Sequence, residues 1–401
     1  MNKDSILFLT KDAQCKAYYP CYGNRYYKGL TPNLDELVSK GTIFNNFFTA
    51  APSSNMSYLS MFTMMYPYMN EIKRYEYLPK DFEGETLFMK ANKMGYECHI
   101  MWDSTWDPDT KYTRCYGETT IHSIIDLGQR VGAHFLHKNK LIKDDNIAEE
   151  ILNRTRKELE SFVNEEQKVF LWCHLPHVLK GRCAYGDDID LYDRYIGMFR
   201  EFFSDNNIFI SADHGNMNGL KGKVGYGFHV YEPSINIPMI APRIDNLEEC
   251  NDIVSNIDVF DLIFNRTIPK RDVVYSDSAY YAQPNRRLCV IYGKYRYIYN
   301  KIDNSEELYD IDWDPNQNFN MIEDDMFDTD RKVKTPSCEY IFYPYWDELP
   351  AIREKLRCKK NEIWRTENAS QKYLYLVKMT AKKYIPTFIW AKIAKFYRRN
   401  R

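Results

Sequence analysis

NIFISADHGN, residues 207–216, is a short apolar β-type run that stops abruptly at Asp213-His214-Gly215. A run this short and continuous reads as a strand buried on both faces, and the acid and imidazole at its end imply that it opens on a polar crevice. Two more segments share this grammar: SILFLTKD (residues 5–12) delivers Asp12, and VFLWCHLPH (residues 169–177) delivers His174 and His177. In GFHVYEPSINIPMI (residues 227–240) His229 comes before the apolar run. In a parallel α/β sheet the carboxyl ends of the strands line one crevice, so the first three segments bring their side chains to the same place. Carboxylates and imidazoles gathered there suit one or two divalent cations.

Outward from these segments, short apolar runs alternate with longer amphipathic stretches, which predicts a mainly parallel sheet flanked by helices. Strands are expected at 5–10, 97–102, 169–173, 208–212 and 237–241. Helices are expected at 32–40, 57–65, 84–94, 145–164 and 191–203. The pattern holds over 1–270, the expected catalytic domain, and then changes to short β-type runs such as LCVIYG and YRYIYN. These predict a small antiparallel sheet over 271–330. Residues 331–401 read as a Tyr-rich segment followed by basic amphipathic helices.

Composition narrows the class of function. The chain has 401 residues, 44% hydrophobic and 27% charged, as in an ordinary soluble globular protein. Its net charge of -2 gives no bulk attraction to nucleic acid. Ten cysteines without a CxxC pair indicate neither a zinc knuckle nor a disulfide framework. The opening MNKDSILFLTKD has too short an apolar run for a signal peptide, so the expected location is cytoplasmic. From 370 to 401 there are nine Lys or Arg and no acid, and Ile389, Trp390, Ile393, Phe396 and Tyr397 share one helical face. Such a helix suits peripheral contact with an anionic membrane, here the inner face, although it could equally dock on its own protein.

TAAPSSNMSYLSMFTMMYP, residues 49–67, offers four serines at the start of an apolar helix. A serine there is ordinarily a cap. With Asp and His expected nearby, Ser54 or a near neighbour gains a second expected role, because free N–H groups at a helix start favour an anion and a metal on the hydroxyl would lower its pKa.

Seven blocks in order then resemble the sulfatase family of the alkaline phosphatase superfamily, over roughly residues 5–320: DA…CYGN (12–24), TPNLDELVSKGTIFNNFFT (31–49), SxxSxxSxxTxxYP (54–67), SADHGN (211–216), HVYEPSINIPMI (229–240), NIDVFDLIF (256–264) and EELYDIDWDPNQNFN (306–320). The resemblance implies an α/β fold with a mixed, largely parallel sheet between helices and a small C-terminal antiparallel sheet. It implies that Ser54 is the nucleophile and that Asp12, Ser54, Asp213 and His214 share one metal. By the same analogy His177 and His229, with His174 as a further candidate, bind a second metal or the anionic group of the substrate.

Two departures from the family pattern shape the expected chemistry. The CxPxR or SxPxR signature of formylglycine enzymes is replaced by Ser54-Asn55-Met56-Ser57-Tyr58, so an unmodified serine is expected. Lys11-Asp12 replaces the paired aspartates of calcium sulfatases, which favours zinc or manganese over calcium or magnesium. The expected activity is therefore that of a metal-dependent phosphoester hydrolase or phosphotransferase forming a phosphoserine. Its expected substrates are anionic small molecules, phospho-substituted glycans or lipid-linked saccharides at a membrane surface. The alternatives are a sulfatase and, from another class, a catalytically silent binder of anionic glycans.

Overall fold

The computed structural model describes residues 2–67, 84–102, 118–123, 145–175, 189–278, 286–322, 327–328, 332–334 and 340–364. His177 and the basic stretch 370–401 lie outside these residues. Among the described residues, the central sheet has eight strands: β1 (Ile6–Lys11), β2 (Gly41–Phe44), β4 (Glu97–Trp102), β5 (Thr119–Ser123), β6 (Val169–Leu175), β7 (Ile208–Ala212), β8 (Met239–Pro242) and β9 (Glu249–Cys250). Strand β3 (Phe47–Phe48) pairs instead with β10 (Val254–Ser255). The sheet order is β5-β4-β6-β1-β7-β8-β2-β9. From β5 to β7 all neighbours run parallel, and β8 is antiparallel to both β7 and β2. The α/β sulfatase-like architecture expected from the sequence is thus present.

Helices cover both faces of this sheet, which explains why its central strands are continuous apolar runs. Alternate residues of β1 go to opposite sides. Ile6 and Phe8 join Phe170, Trp172 and Phe209 under helices α2 (Ser54–Thr63) and α3 (Leu87–Lys93). Leu7 and Leu9 pack with Leu171 and Cys173 against α1 (Pro32–Lys40), α4 (Asp145–Phe162) and α5 (Ile189–Phe199). Truncating a ring such as Phe8, which is fully buried, costs about 3–5 kcal/mol. Among the described residues, no helix is long and apolar enough to cross a membrane.

Four antiparallel strands follow as predicted: β11 (Val274–Asp277), β12 (Arg287–Tyr292), β13 (Tyr295–Asn300) and β14 (Glu306–Asp310). Beyond them, α6 (Leu349–Ile363) lays Leu349 and Leu356 against Leu288, Tyr297, Tyr299 and Leu308 of this sheet. The other face of the sheet reaches the central domain, where Arg296 pairs with Glu232 and the Arg296 guanidinium lies over Phe48.

Several elements depart from expectation: β2, β3, β5, β9 and β10 carried no strand expectation, and α2 starts early. Strand β2 occupies a stretch that carried no strand expectation, and it is admitted beside β8 because Gly41 has no side chain: a Cβ there would stand 2.4 Å from the Ala241 carbonyl oxygen. The helix expected at 57–65 starts three residues earlier. Ser53 is extended (φ -151, ψ 142), and its carbonyl already accepts the Ser57 amide at 2.9 Å. Ser54 is therefore the first helical residue, and its hydroxyl is not a cap.

Candidate active site

The carboxyl ends of β1 and β7, adjacent in the sheet, carry Asp12 and Asp213-His214 into one crevice, and the N-terminus of α2 points Ser54 at them. Ser57, one turn along α2, fixes that approach by donating to the Asp213 carbonyl at 2.6 Å. Asn256 locks Ser57 in turn, giving one Nδ2 proton to its hydroxyl at 2.9 Å and accepting the Ala50 amide at 2.9 Å. Neither Ser57 nor Asn256 was singled out by sequence reasoning, because a Ser in a helix and an Asn in a turn carry no local signal for such a partnership.

The geometry around Ser54 is electron-rich. Its hydroxyl lies 3.1 Å from His214 Nε2 and donates to Asp12 Oδ1 at 3.4 Å. His214 Nδ1 is 2.8 Å from the Gly215 carbonyl oxygen. That oxygen can only accept, so Nδ1 holds the ring proton and Nε2 presents a lone pair. Around that lone pair stand Asp213 Oδ2 at 3.4 Å and Asp12 Oδ1 at 3.9 Å. Asp213 Oδ1 is satisfied by the amides of Ala13 and His214 at 2.9 and 2.8 Å, whereas Oδ2 is buried without a hydrogen-bond partner.

Burial dominates the electrostatics of these groups. It pushes the Asp213 carboxyl up to about 6 against the hydrogen bonds of the Ala13 and His214 amides, and it lowers the His214 imidazole against the pull of Asp12. One oxygen each from Asp12 and Asp213 and one nitrogen from His214 lie within 4.8 Å of one another. A mixed O/N donor set with an orphaned buried carboxylate oxygen fits a divalent cation. Ser54 stands beside it. Ala13, at φ 50, turns the chain so that its amide reaches Asp213.

The expected histidines divide. His174 does not join the donor set: its Nδ1 is 2.9 Å from Thr10 Oγ1 and its Nε2 is 2.7 Å from the Tyr58 hydroxyl, so both ring nitrogens are engaged inside the core. This corrects its candidacy as a ligand and makes it a clamp between β1, β6 and α2. Burial, reinforced by His214, lowers its pKa to about 3. His229 is also outside the three-residue cluster. It stacks on Tyr231 at 5.9 Å with Nδ1 buried and lacking a partner. One contact that sequence reasoning missed is Tyr226, whose ring centroid lies 4.5 Å from that of His214.

Comparisons with known proteins bear on the family and the fold. The sulfatase family model matches residues 4–207. A curated relative, an ulvan-active sulfatase of Formosa agariphila, is 34% identical over 122 residues, which are 27% of this chain and 24% of that protein, so the match spans about a quarter of the relative's length. Solved structures share the fold. A candidate sulfatase from Bacteroides thetaiotaomicron superposes with TM-score 0.66 at 15% identity, covering 90% of this chain and 93% of the other. A phosphonate monoester hydrolase of Agrobacterium radiobacter gives 0.59 at 13% identity, covering 90% and 96%. The PsFucS1 sulfatase from a Pseudoalteromonas species gives 0.57 at 13%, covering 92% of each. The chain belongs to the sulfatase family.

Proposed function

We propose that this member of the sulfatase family is a divalent-metal-dependent hydrolase of anionic esters on a glycan, with sulfate esters as its substrates and Ser54 at the reacting centre. The observation that carries this reading is the Ser54 hydroxyl, held at a helix start beside the clustered donor atoms of Asp12, Asp213 and His214. The family match and the sulfatases among its relatives support sulfate over phosphate as the ester group.

Asp12, Asp213 and His214 would hold the cation, with the Ser54 hydroxyl as a fourth donor. When bound, the cation would supply positive charge that lowers the pKa of that hydroxyl and offsets charge developing on the ester oxygens. The chain's own residues do the rest. Asp12 Oδ1 takes the hydroxyl proton, and Ser54 Oγ bonds to the central atom of the ester as the bond to the glycan oxygen breaks. The glycan leaves as an alcohol, taking up a proton. Water then releases the inorganic anion and restores the hydroxyl. Ser57 keeps Oγ aimed throughout, while the free N–H groups at the start of α2 and the imidazole of His229 are the donors nearest in kind to what the anionic oxygens need. His177, expected to act with His229, lies outside the described residues.

A second reading, phosphoester hydrolysis or transfer through a phosphoserine, is favoured by the sequence at Ser54-Asn55-Met56-Ser57-Tyr58, which lacks the Pro and Arg of the formylglycine signature. Turnover of 4-nitrophenyl sulfate and 4-nitrophenyl phosphate, with zinc, manganese, calcium or magnesium added in turn, separates the two. Faster metal-dependent release from the sulfate supports the first reading, and release from the phosphate alone replaces it with the second. Turnover of neither, with no binding of sulfated sugars, contradicts both.

A further inference from the structure

At the edge of the central sheet, β4 and β5 bring together a second group of polar side chains. Alternation along β4 sends Glu97 and His99 to one face, and His99 sits diagonally across from His122 of β5, whose direct partner is Met101. Helix α4 covers this face and adds Glu158 and, one turn on, Phe162. The result is a row of four groups in contact. Glu97 Oε1 is 3.0 Å from His99 Nε2, His99 Nδ1 is 2.8 Å from His122 Nε2, and His122 Nδ1 is 3.2 Å from Glu158 Oε2. Both rings stack on Phe162, at 3.9 and 4.6 Å, and their own planes are only 21° apart.

This group is separate from the crevice that holds Ser54. His99 aligns with Leu171 and through it with Leu7, two strands across and five residues before Asp12, a separation on the order of 20 Å. It also lies on the face covered by α4, whereas Ser54 comes from α2 on the other face.

A count of protons shows what the row lacks. Its three contacts need one proton each, the carboxylates can only accept, and two neutral imidazoles bring two protons. If both rings point their protons outward at Glu97 and Glu158, two lone pairs face each other across 2.8 Å. If one ring turns its proton inward, its outer lone pair meets a carboxylate instead. A cation that accepts both inner lone pairs resolves the shortfall, and a carboxylate behind each imidazole is the usual support of a metal-binding histidine. The spacing selects the metal. With metal–nitrogen bonds of about 2.0 Å, nitrogens at adjacent corners of a square stand about 2.8 Å apart, but about 3.3 Å apart on a tetrahedron. The square suits copper(II), which also leads the affinity order for such donors.

We propose that His99 Nδ1 and His122 Nε2 bind a copper(II) ion at the sheet edge, with Glu97 and Glu158 orienting the two rings. The flanking carboxylates are 40% and 47% exposed, so water reaches the remaining corners. Such an ion ties β4 to β5 and α4, and the inference does not depend on the role of Ser54.

The test uses the full-length Asp213→Asn protein, which lacks one donor of the candidate active site, with exposed thiols alkylated so that copper stays oxidised. Titration with copper(II), followed by electron paramagnetic resonance, should show one ion per chain with splitting from two nitrogens. His122→Gln should remove one nitrogen from the signal and weaken binding at least about tenfold. Glu158→Ala, which leaves both imidazoles in place, should weaken it by about tenfold to a hundredfold. Zinc should bind at least about tenfold more weakly than copper. A two-nitrogen signal and affinity unchanged in His122→Gln would place the copper elsewhere and overturn the site. Absence of a two-nitrogen signal before any change at His122 also overturns it, leaving a shared proton between the rings, and zinc binding as tight as copper overturns the square geometry.

Discussion

Ser54 Oγ lies 3.1 Å from His214 Nε2, and the ring proton of that histidine is committed to the Gly215 carbonyl on the far side. A hydroxyl from a helix start therefore faces a lone pair from a strand end, with the carboxylates of Asp12 and Asp213 completing the group. Asp213 Oδ2 lies buried in this group without a hydrogen-bond partner.

The first prediction concerns the cation. Zinc, manganese or calcium at about 100 times its dissociation constant should stabilise the fold by about 2.7 kcal/mol, and chelation should remove that gain. Asp213→Asn should abolish the metal dependence of the melting temperature. An equal shift in the unaltered protein and in Asp213→Asn would place the ion elsewhere.

Gly215→Ala should be severe. A Cβ at this position would stand 1.9 Å from the Pro233 carbonyl oxygen, so the backbone that carries the His214 partner must move. A loss of about 1–3 kcal/mol in denaturant unfolding is expected, together with loss of turnover. A variant with unchanged stability and activity would contradict the close approach.

His99 provides a pH test away from the active site. It is buried, stacks on Phe162 at 3.9 Å, and shares a 2.8 Å contact with His122. Burial and His122 lower its pKa to about 4, so between that value and the unfolded value near 6.5 the unfolded chain binds more protons. Its contribution is complete above pH 6.5 and is lost as pH falls through about 4. Unfolding free energy should drop by about 1–3 kcal/mol across this window, and His99→Gln should flatten the slope. A slope that survives the substitution would assign it to other groups.

Arg296→Met tests how the two sheets are joined. Its guanidinium is fully buried and pairs with Glu232, so the variant leaves a carboxylate without its cation. Destabilisation of about 3–5 kcal/mol is expected from chemical denaturation, and Glu232→Gln in the same chain should recover part of it.

The legible part of this chain was its parallel half. Strands at 97–102 and 208–212 and the helix at 32–40 have the predicted bounds, because continuous apolar runs and a Pro-led amphipathic stretch are local signals. That Asp12, Asp213, His214 and Ser54 come together was legible because three of them follow such runs and the fourth opens a helix. His174 was misjudged because a histidine at a strand end looks the same whether it faces a crevice or a buried tyrosine, and only the position of Tyr58 decides. Strand β2 was missed because it is four residues long and depends on Gly41 fitting against β8. The Arg287 contact with Phe228 joins residues 59 apart in sequence, a separation beyond any local pattern.

The most direct test of the central claim is the rate of 4-nitrophenyl ester release by the metal-loaded Ser54→Ala protein, set against the unaltered protein and normalised to equal folded fraction. The account predicts a fall of at least about a thousandfold with the cation still bound, because the hydroxyl that forms the new bond is gone while Asp12, Asp213 and His214 remain. Turnover within a few-fold of the unaltered protein would contradict it and remove Ser54 from the reaction.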